Sequence, residues 1–449
     1  MELFGTAGIR GSAETRVTPE LALSVGRAAG VDGATFVVGR DGRVTGPALA
    51  AAMEAGLESS GADVVRVGAL PTPALAYASR GRRGVMLTAS HNPPADNGIK
   101  LFVDGEEYDR DAERTVEERV DAEIDPVSWA HWGDPGNEDV LDDYRAAVVD
   151  YASQYGAPLD GLKVAVDCGN GMGSLATPQV LRAMGAHVVT LNANVDGHFP
   201  GRPSKPTPET LTDLLAFVAD GDYQLGIAHD GDADRIVIVD ATGDVVHEDT
   251  VVALLGGRYT EQSDADDPVV VTTPNASGRI DERVRDAGGR VERVRLGALH
   301  EGIARVRAAG GTVVFAAEPW KHIHTQFGGW IDGVTSAAVL SRLVADAGDV
   351  ATLRSDITER PYRKVSVPCP DDAKQDVMGR LETDLPEAYP DAAVDTKYGV
   401  RLEFPDASWT LVRPSGTEPY VRVYAESDDV DELVEGVAAV VERAVDDTT

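Results

Sequence analysis

Short apolar runs recur along the whole chain, each ending in a polar or glycine-rich loop. They include Thr35-Phe36-Val37-Val38-Gly39, Asp63 to Val67, Gly84-Val85-Met86-Leu87, Leu162 to Asp167, Leu225 to Ala228, Val269 to Thr272 and Thr312 to Phe315. Runs this short and this apolar are read as buried strands. Helix-period stretches separate most of them, as at Pro47 to Ser59, Val140 to Tyr151 and Val334 to Ala347. That alternation predicts α/β layers in which ligands collect where strands end. At 449 residues the chain exceeds one ordinary core. A first boundary falls near residue 155. A change of character near 360 predicts a small α+β domain to the C-terminus, with strands near Val365, Val400, Ser408 and Tyr420 and a last helix from Asp431.

Charge narrows the classes of partner. The chain carries 75 acidic against 41 basic residues, a net charge of −34, and lysine supplies only seven of the 41. Such a field repels nucleic acid and anionic membranes, so neither is an expected partner. No apolar run approaches the ~20 residues that span a bilayer, and Met1 to Gly5 lacks the pattern of a signal peptide. Cys168 and Cys369 stand alone, which suggests a reducing cytoplasm and no disulfide framework. Dispersed acid with few lysines resembles the surface of proteins from salt-accumulating halophiles, where salt screens self-repulsion.

Four polar loops carry candidate chemistry. Thr88-Ala89-Ser90-His91-Asn92-Pro93 follows an apolar run, with Asn97-Gly98-Ile99-Lys100 behind it. A serine on a proline-stiffened loop beside a histidine suits a nucleophile or phosphate carrier, though a plain polar turn has the same composition. Asp230-Gly231-Asp232-Ala233-Asp234-Arg235 lies between two apolar runs. Alternate carboxylates of this kind suit a hard cation such as Mg²⁺. They are not an EF-hand, whose sixth and twelfth places would fall on Arg235 and Ala241. Glu318-Pro319-Trp320-Lys321-His322-Ile323-His324 could read a sugar or be an ordinary turn. Arg413-Pro414-Ser415-Gly416-Thr417-Glu418-Pro419, with Arg422 on the next strand, has the composition of a phosphate nest. At the N-terminus, Gly5 to Gly11 around Arg10 reads as a tight loop that could meet an anion. Gly169-Asn170-Gly171-Met172-Gly173 is neither a dinucleotide fingerprint nor a Walker loop.

Taken in order, these motifs resemble the α-D-phosphohexomutase family, which includes phosphoglucomutase/phosphomannomutase and phosphoglucosamine mutase. The resemblance implies three similar mixed α/β domains, 1–155, 156–250 and 251–360, and a C-terminal α+β phosphate-binding domain, 361–449, around a central cleft. It implies a phosphosugar mutase that moves a phosphoryl group between the 1- and 6-positions of a hexose or hexosamine phosphate through phospho-Ser90 and a bisphosphate. Mg²⁺ would be held by Asp230, Asp232 and Asp234 with Ser90. Arg10 would contact the phosphoserine region, and His91 and Lys100 would serve acid/base chemistry. Glu318, His322, Arg235, Arg413, Ser415, Gly416, Thr417 and Arg422 would bind substrate. A small-molecule sugar phosphate is the implied partner, and a monomer or homodimer the implied assembly.

Two loops depart from the family's pattern. The sugar loop usually reads Gly-Glu-x-Ser-Gly-His, but this chain has Ala317-Glu318-Pro319-Trp320-Lys321-His322. The loop that often carries a basic residue after a glycine reads Leu296-Gly297-Ala298-Leu299-His300. The sugar is therefore open among glucose, mannose, glucosamine and pentose phosphates. Two other readings compete: a haloacid-dehalogenase-like phosphatase using Asp230 as nucleophile, which leaves Ser90 unexplained, and a sugar-phosphate-binding relative without turnover.

Overall fold

A computed structural model describes residues 3–5, 8–415 and 418–448. It separates into two compact units, Met1–Glu248 with Trp320–Arg354, and Asp249–Pro319 with Ser355–Thr449.

The first unit holds two sheets. One runs in the order Ile9–Ser12, Asp96–Val103, Arg83–Leu87, Thr35–Arg40, Asp63–Ala69, Pro135–Asn137, with Glu106–Glu107 paired beside Asp96–Val103. Its Thr35–Arg40 strand is parallel to both neighbours, whereas Asp96–Val103 runs antiparallel to both of its own. Ile9–Ser12 is thus a strand, where the sequence suggested a loop, because Ile9 is fully buried and pairs with Ile99. Just before it Gly5 bridges Gly8; Thr6 and Ala7 lie outside the described residues.

Helix Pro19–Gly30 starts where Thr18 accepts a hydrogen bond from Leu21 N and a proline occupies the first turn. It crosses helix Gly46–Ser59 backbone on backbone. A Cβ on Gly56 would lie 2.3 Å from Leu23 O, and one on Gly26 would lie 2.5 Å from Met53 O. Beneath them Phe36, Leu49, Met53, Leu57, Val64, Val85 and Ile99 are buried together. Each such side chain contributes roughly 1.5–3 kcal/mol.

The second sheet orders Ile236–Asp240, Leu225–His229, Lys163–Asp167, His187–Leu191. Its first pair is an antiparallel hairpin with His229 opposite Ile236. The aspartate loop is therefore a hairpin turn, and the helix Gly333–Ala347 completes this unit's core.

In the second unit, Pro268–Thr272 is flanked in parallel by Arg290–Arg293 and Thr312–Glu318. The C-terminal segment forms an antiparallel sheet in the order Tyr362–Pro368, Tyr420–Glu426, Trp409–Pro414, Val400–Glu403, Ala393–Asp395. Helices Lys374–Ala388 and Val430–Asp446 bury Val377, Leu381, Leu385, Val437 and Val441 against Val400, Val412, Val421 and Val423. Among the described residues, no helix is long and apolar enough to cross a membrane.

Candidate active site

Strand Arg83–Leu87 delivers Ser90 to a loop with no freedom to relax. Ser90 is fully buried and takes the left-handed backbone at φ +50°. That conformation costs a non-glycine residue roughly 1–3 kcal/mol, and neighbours hold it in place. Ser90 N donates to Thr88 Oγ1 at 2.9 Å, and that hydroxyl donates to Asp41 Oδ2 at 2.7 Å. Asp41 in turn accepts from Arg43 N at 2.9 Å and Arg43 Nε at 3.1 Å.

The rest of the Arg43 guanidinium spans the serine loop. It donates to the carbonyls of Pro93 (2.6 Å), Asp96 (2.9 Å), Ser90 (2.9 Å) and Asn92 (2.7 Å). Burial pushes the Asp41 carboxyl up to about 6 against the pull of Arg43. Asp41 and Arg43 occupy a turn that the sequence showed only as polar. A charged pair at the end of a neighbouring strand was the available signal.

The hairpin turn from 230 to 235 meets Ser90 from the other side. Ser90 Oγ donates to Asp230 Oδ2 at 2.5 Å. Asp230 Oδ1 accepts from Arg235 N at 3.2 Å. Asp232 Oδ2 accepts from Thr72 Oγ1 at 2.6 Å, and Asp234 Oδ2 from Lys100 Nζ at 3.0 Å. Ala233, at φ +60°, turns the chain so that the three carboxylates converge, with a ligand atom of each within 4.8 Å of the others.

All three aspartates are buried, and among the described residues Asp232 Oδ1 and Asp234 Oδ1 have no hydrogen-bond partner. Burial, then Asp234 and Asp232, push the Asp230 carboxyl well above its usual range. Burial acts the same way on Asp234, but Lys100, Arg235, Lys321 and Arg10 outweigh it and hold Asp234 low. Two orphaned oxygens in a hard-oxygen donor set fit a divalent cation.

Glycines bring the loops into contact. A Cβ on Gly231 would lie 2.6 Å from Ser90 O, and one on Gly171 would lie 2.6 Å from Gly231 O. The Gly169–Gly173 segment is thus the support beneath the aspartate turn, and Met172 N donates to Gly231 O at 2.9 Å. Arg202 fixes the root of the hairpin: Nε donates to Asp167 at 2.6 Å and Nη2 to His229 O at 2.7 Å. Sequence reasoning had left Thr72, Asp167, Arg202 and His229 without roles, because each acts through a partner remote in the chain.

Cations surround the serine. Lys100, on strand Asp96–Val103, also lies 3.2 Å from Glu107. Burial alone would lower its pKa, but Glu107, Asp234 and Asp232 together raise it, so it is a fixed ammonium. Arg10 faces Gly98 across the strand pair, and Arg235 Nε lies 3.8 Å from Asp230 and 3.9 Å from Asp234. The Nε atoms of Arg10 and Arg235 are buried without hydrogen-bond partners among the described residues. His91 Nδ1 lies 3.3 Å from Ser90 Oγ. Burial first, then Arg235 and Arg10, push its pKa down to about 3, leaving a neutral imidazole.

His322 and His324 are buried, and the Ser336 hydroxyl lies 2.9 Å from one and 2.8 Å from the other. In the second unit, Glu318 ends strand Thr312–Glu318 and accepts from Gly297 N. Arg413 and Arg422 stand directly opposite each other on neighbouring strands. Arg413 Nη2 donates to Tyr424 OH at 3.2 Å, while Arg413 Nε and the buried Ser415 hydroxyl have no hydrogen-bond partner among the described residues. Lys374 Nζ donates to the Ser415 carbonyl at 2.7 Å and also to Glu418 O, fixing the two ends of the loop, a role not foreseen from sequence. Gly416 and Thr417 lie outside the described residues.

A buried serine on an aspartate trio, ringed by guanidinium and ammonium groups, is equipment for phosphoryl transfer, where charge neutralisation and positioning do most of the work. Models of the phosphoglucomutase/phosphomannomutase domains match the chain: α/β/α domain I over residues 1–126, α/β/α domain II over 142–243 and the C-terminal domain over 365–443. The chain is 42% identical over 455 residues, 99% of both proteins, to a phosphopentomutase of Thermococcus kodakarensis. It is 42% identical over 458 residues, 99% of this chain and 98% of the relative, to a probable phosphoglucosamine mutase of Methanopyrus kandleri. The crystal structure of a phosphoglucomutase/phosphomannomutase family protein from Burkholderia thailandensis matches with a TM-score of 0.82 at 27% identity, covering 99% of this chain and 97% of that one. The chain belongs to the phosphoglucomutase/phosphomannomutase family, and it is a phosphosugar mutase, an intramolecular phosphotransferase. The dehalogenase-like phosphatase reading has no support among these relatives.

Proposed function

We propose that Ser90 carries the phosphoryl group and passes it to the free hydroxyl of a sugar monophosphate. The observation behind this is the Ser90 Oγ to Asp230 contact of 2.5 Å inside a ring of cations. In the forward step the bond from phosphorus to Ser90 Oγ breaks and a bond to the sugar oxygen forms. The sugar hydroxyl's proton ends on Ser90 Oγ, and His91, whose Nδ1 lies 3.3 Å from that oxygen, is the acid/base group beside it. Lys100, fixed between Asp234 and Glu107, acts as a charge rather than a base. The bisphosphate then turns over and returns its other phosphoryl group to Ser90.

Arg10 and Arg235 face the transferring group. Arg413, Ser415 and Arg422, with Gly416 and Thr417, hold the phosphate that is not reacting, and Glu318 binds sugar hydroxyls. His322, buried on Ser336, supports the loop from behind. Asp230, Asp232 and Asp234 suit Mg²⁺, which when bound neutralises charge on the phosphoryl oxygens. The domains divide near 155, 250 and 360, and the acidic surface is that of a cytoplasmic enzyme working in high salt. The substrate is a hexose, hexosamine or pentose phosphate.

The test is conversion of glucose, mannose, glucosamine and ribose 1-phosphates in molar KCl with Mg²⁺ and a trace of sugar bisphosphate. Conversion of one sugar, lost in Ser90→Ala, is expected. Full activity in that variant would overturn the role of Ser90.

A further inference from the structure

We propose that segment 196–206 is a brace that sets the register between the serine loop and the aspartate turn, with Phe199 and Ser204 as its positioning residues. The inference rests on the mutase reading with Ser90 as carrier, and it adds residues that act on that serine through others.

The segment has neither helix nor strand, yet Gly197, Phe199, Arg202, Ser204 and Pro206 are buried while the residues between them are exposed. Gly197 presses on the turn that carries Asp41 and Arg43. A Cβ there would lie 2.5 Å from Gly42 O and 2.7 Å from Arg43 Cα. Phe199 takes the left-handed backbone at φ +51°, an outlier for so bulky a residue. Local hydrogen bonds impose it. Phe199 N donates to Asp196 O at 3.0 Å, His198 N to Asp196 Oδ1 at 2.9 Å, and Gly201 N to Asn170 Oδ1 at 3.0 Å. Backbone held in such a conformation by its surroundings is concentrated where position matters to function.

The strained turn sets the phenyl ring against both halves of the site. The Arg43 guanidinium lies over the ring, its Cζ 5.2 Å from the centroid, and Phe199 is buried. A cation on an aromatic face is attracted most strongly where water is excluded. This is the guanidinium that donates to Ser90 O. The tip of the ring meets the aspartate turn: a Cβ on Gly231 would lie 3.3 Å from Phe199 Cζ and 3.4 Å from Cε1. Ser204 Oγ donates at 3.0 Å to Asn92 O, a carbonyl that also accepts from Arg43. The brace thus touches the serine loop at Asn92, its guanidinium at Arg43 and the aspartate turn at Gly231. Ser90 and Asp230 lie 140 positions apart in sequence, so their separation is set only by what packs against both loops. A displacement of about 1 Å in a reacting group costs on the order of a hundredfold in rate.

The experiment measures kcat and KM of the full chain with Mg²⁺ in molar KCl. Its substrate is the best converted of ribose, glucose, mannose and glucosamine 1-phosphates, with a trace of the matching bisphosphate. Phe199→Leu keeps apolar bulk but loses the ring face. Phe199→Tyr keeps the face but adds an oxygen at Cζ, against Gly231. Each should lower kcat at least tenfold, and Ser204→Ala several-fold, all with KM within twofold of wild type. Added to Arg43→Lys, Phe199→Leu should cost less than a further twofold, because both changes act on the same guanidinium. A merely structural role would lower the unfolding temperature and leave kcat per folded molecule unmoved. Unchanged kcat in folded Phe199→Leu, or fully additive losses with Arg43→Lys, overturns the inference. If neither Phe199 variant folds, unchanged kcat in Ser204→Ala overturns it alone. Conversion that persists in Ser90→Ala would instead overturn the carrier reading beneath it.

Discussion

Arg43 Nη2 donates to the main-chain carbonyl of Ser90 at 2.9 Å, across 47 positions of sequence. The same guanidinium is ion-paired to Asp41, and both side chains are wholly buried. The backbone of Ser90, the proposed phosphoryl carrier, is thus fixed by a buried guanidinium. Removing one partner of a buried pair costs about 3–5 kcal/mol. Arg43→Ala should lose stability of that order in urea unfolding. Arg43→Lys keeps the charge but not the planar fork. It should lower kcat at least tenfold with little change in KM, and a KM effect alone would contradict a positioning role.

The aspartate trio predicts a metal-linked stability. Three buried carboxylates repel without a cation, so Mg²⁺ should raise the unfolding temperature of wild type. Asp232→Asn should abolish that rise, because Asp232 Oδ1 is one of the two orphaned oxygens. Calorimetry with Mg²⁺ and with chelator checks both, and a magnesium-independent unfolding temperature in wild type would count against the site.

Buried histidines predict acid sensitivity. Burial pushes His322 down to about 3 and His324 well below its usual range. In the unfolded chain an imidazole protonates near ~6.5. Below that value the unfolded chain binds more protons, so stability is lost as the pH falls from ~6.5 towards the folded values. Each histidine adds a slope of about 1.4 kcal/mol per pH unit in that window. Urea midpoints at pH 7 and pH 5 should differ accordingly, and His322→Gln should remove about 1.4 kcal/mol per pH unit of that slope.

The facing arginines predict an opposite behaviour. With Arg413 and Arg422 side by side, losing one relieves repulsion, even though Arg422 Nη2 also pairs with Glu418 at 2.5 Å. Arg422→Met should change stability by less than ~0.5 kcal/mol while raising KM several-fold. Inorganic phosphate should raise the unfolding temperature of wild type more than that of the variant.

Much of this architecture was legible because its signals are local. Apolar runs marked the strands, and the serine, aspartate and arginine loops were each visible as unusual polar clusters at strand ends. Ile9–Ser12 escaped because so short a strand has no alternation to read; its place in the sheet comes from pairing with Asp96–Val103. The aspartate loop was seen but its hairpin was not, since periodicity does not reveal strand direction. Thr72, Asp41, Arg43 and Arg202 were silent for a different reason. Each is an ordinary polar residue whose partner lies elsewhere in the chain, and only the fold brings them together.

The stacking of Gly171 on Gly231 and of Gly231 on Ser90 has an evolutionary consequence. With main chain pressed on main chain, no side chain can be introduced at those glycines, so the apparatus that moves phosphate is closed to gradual alteration.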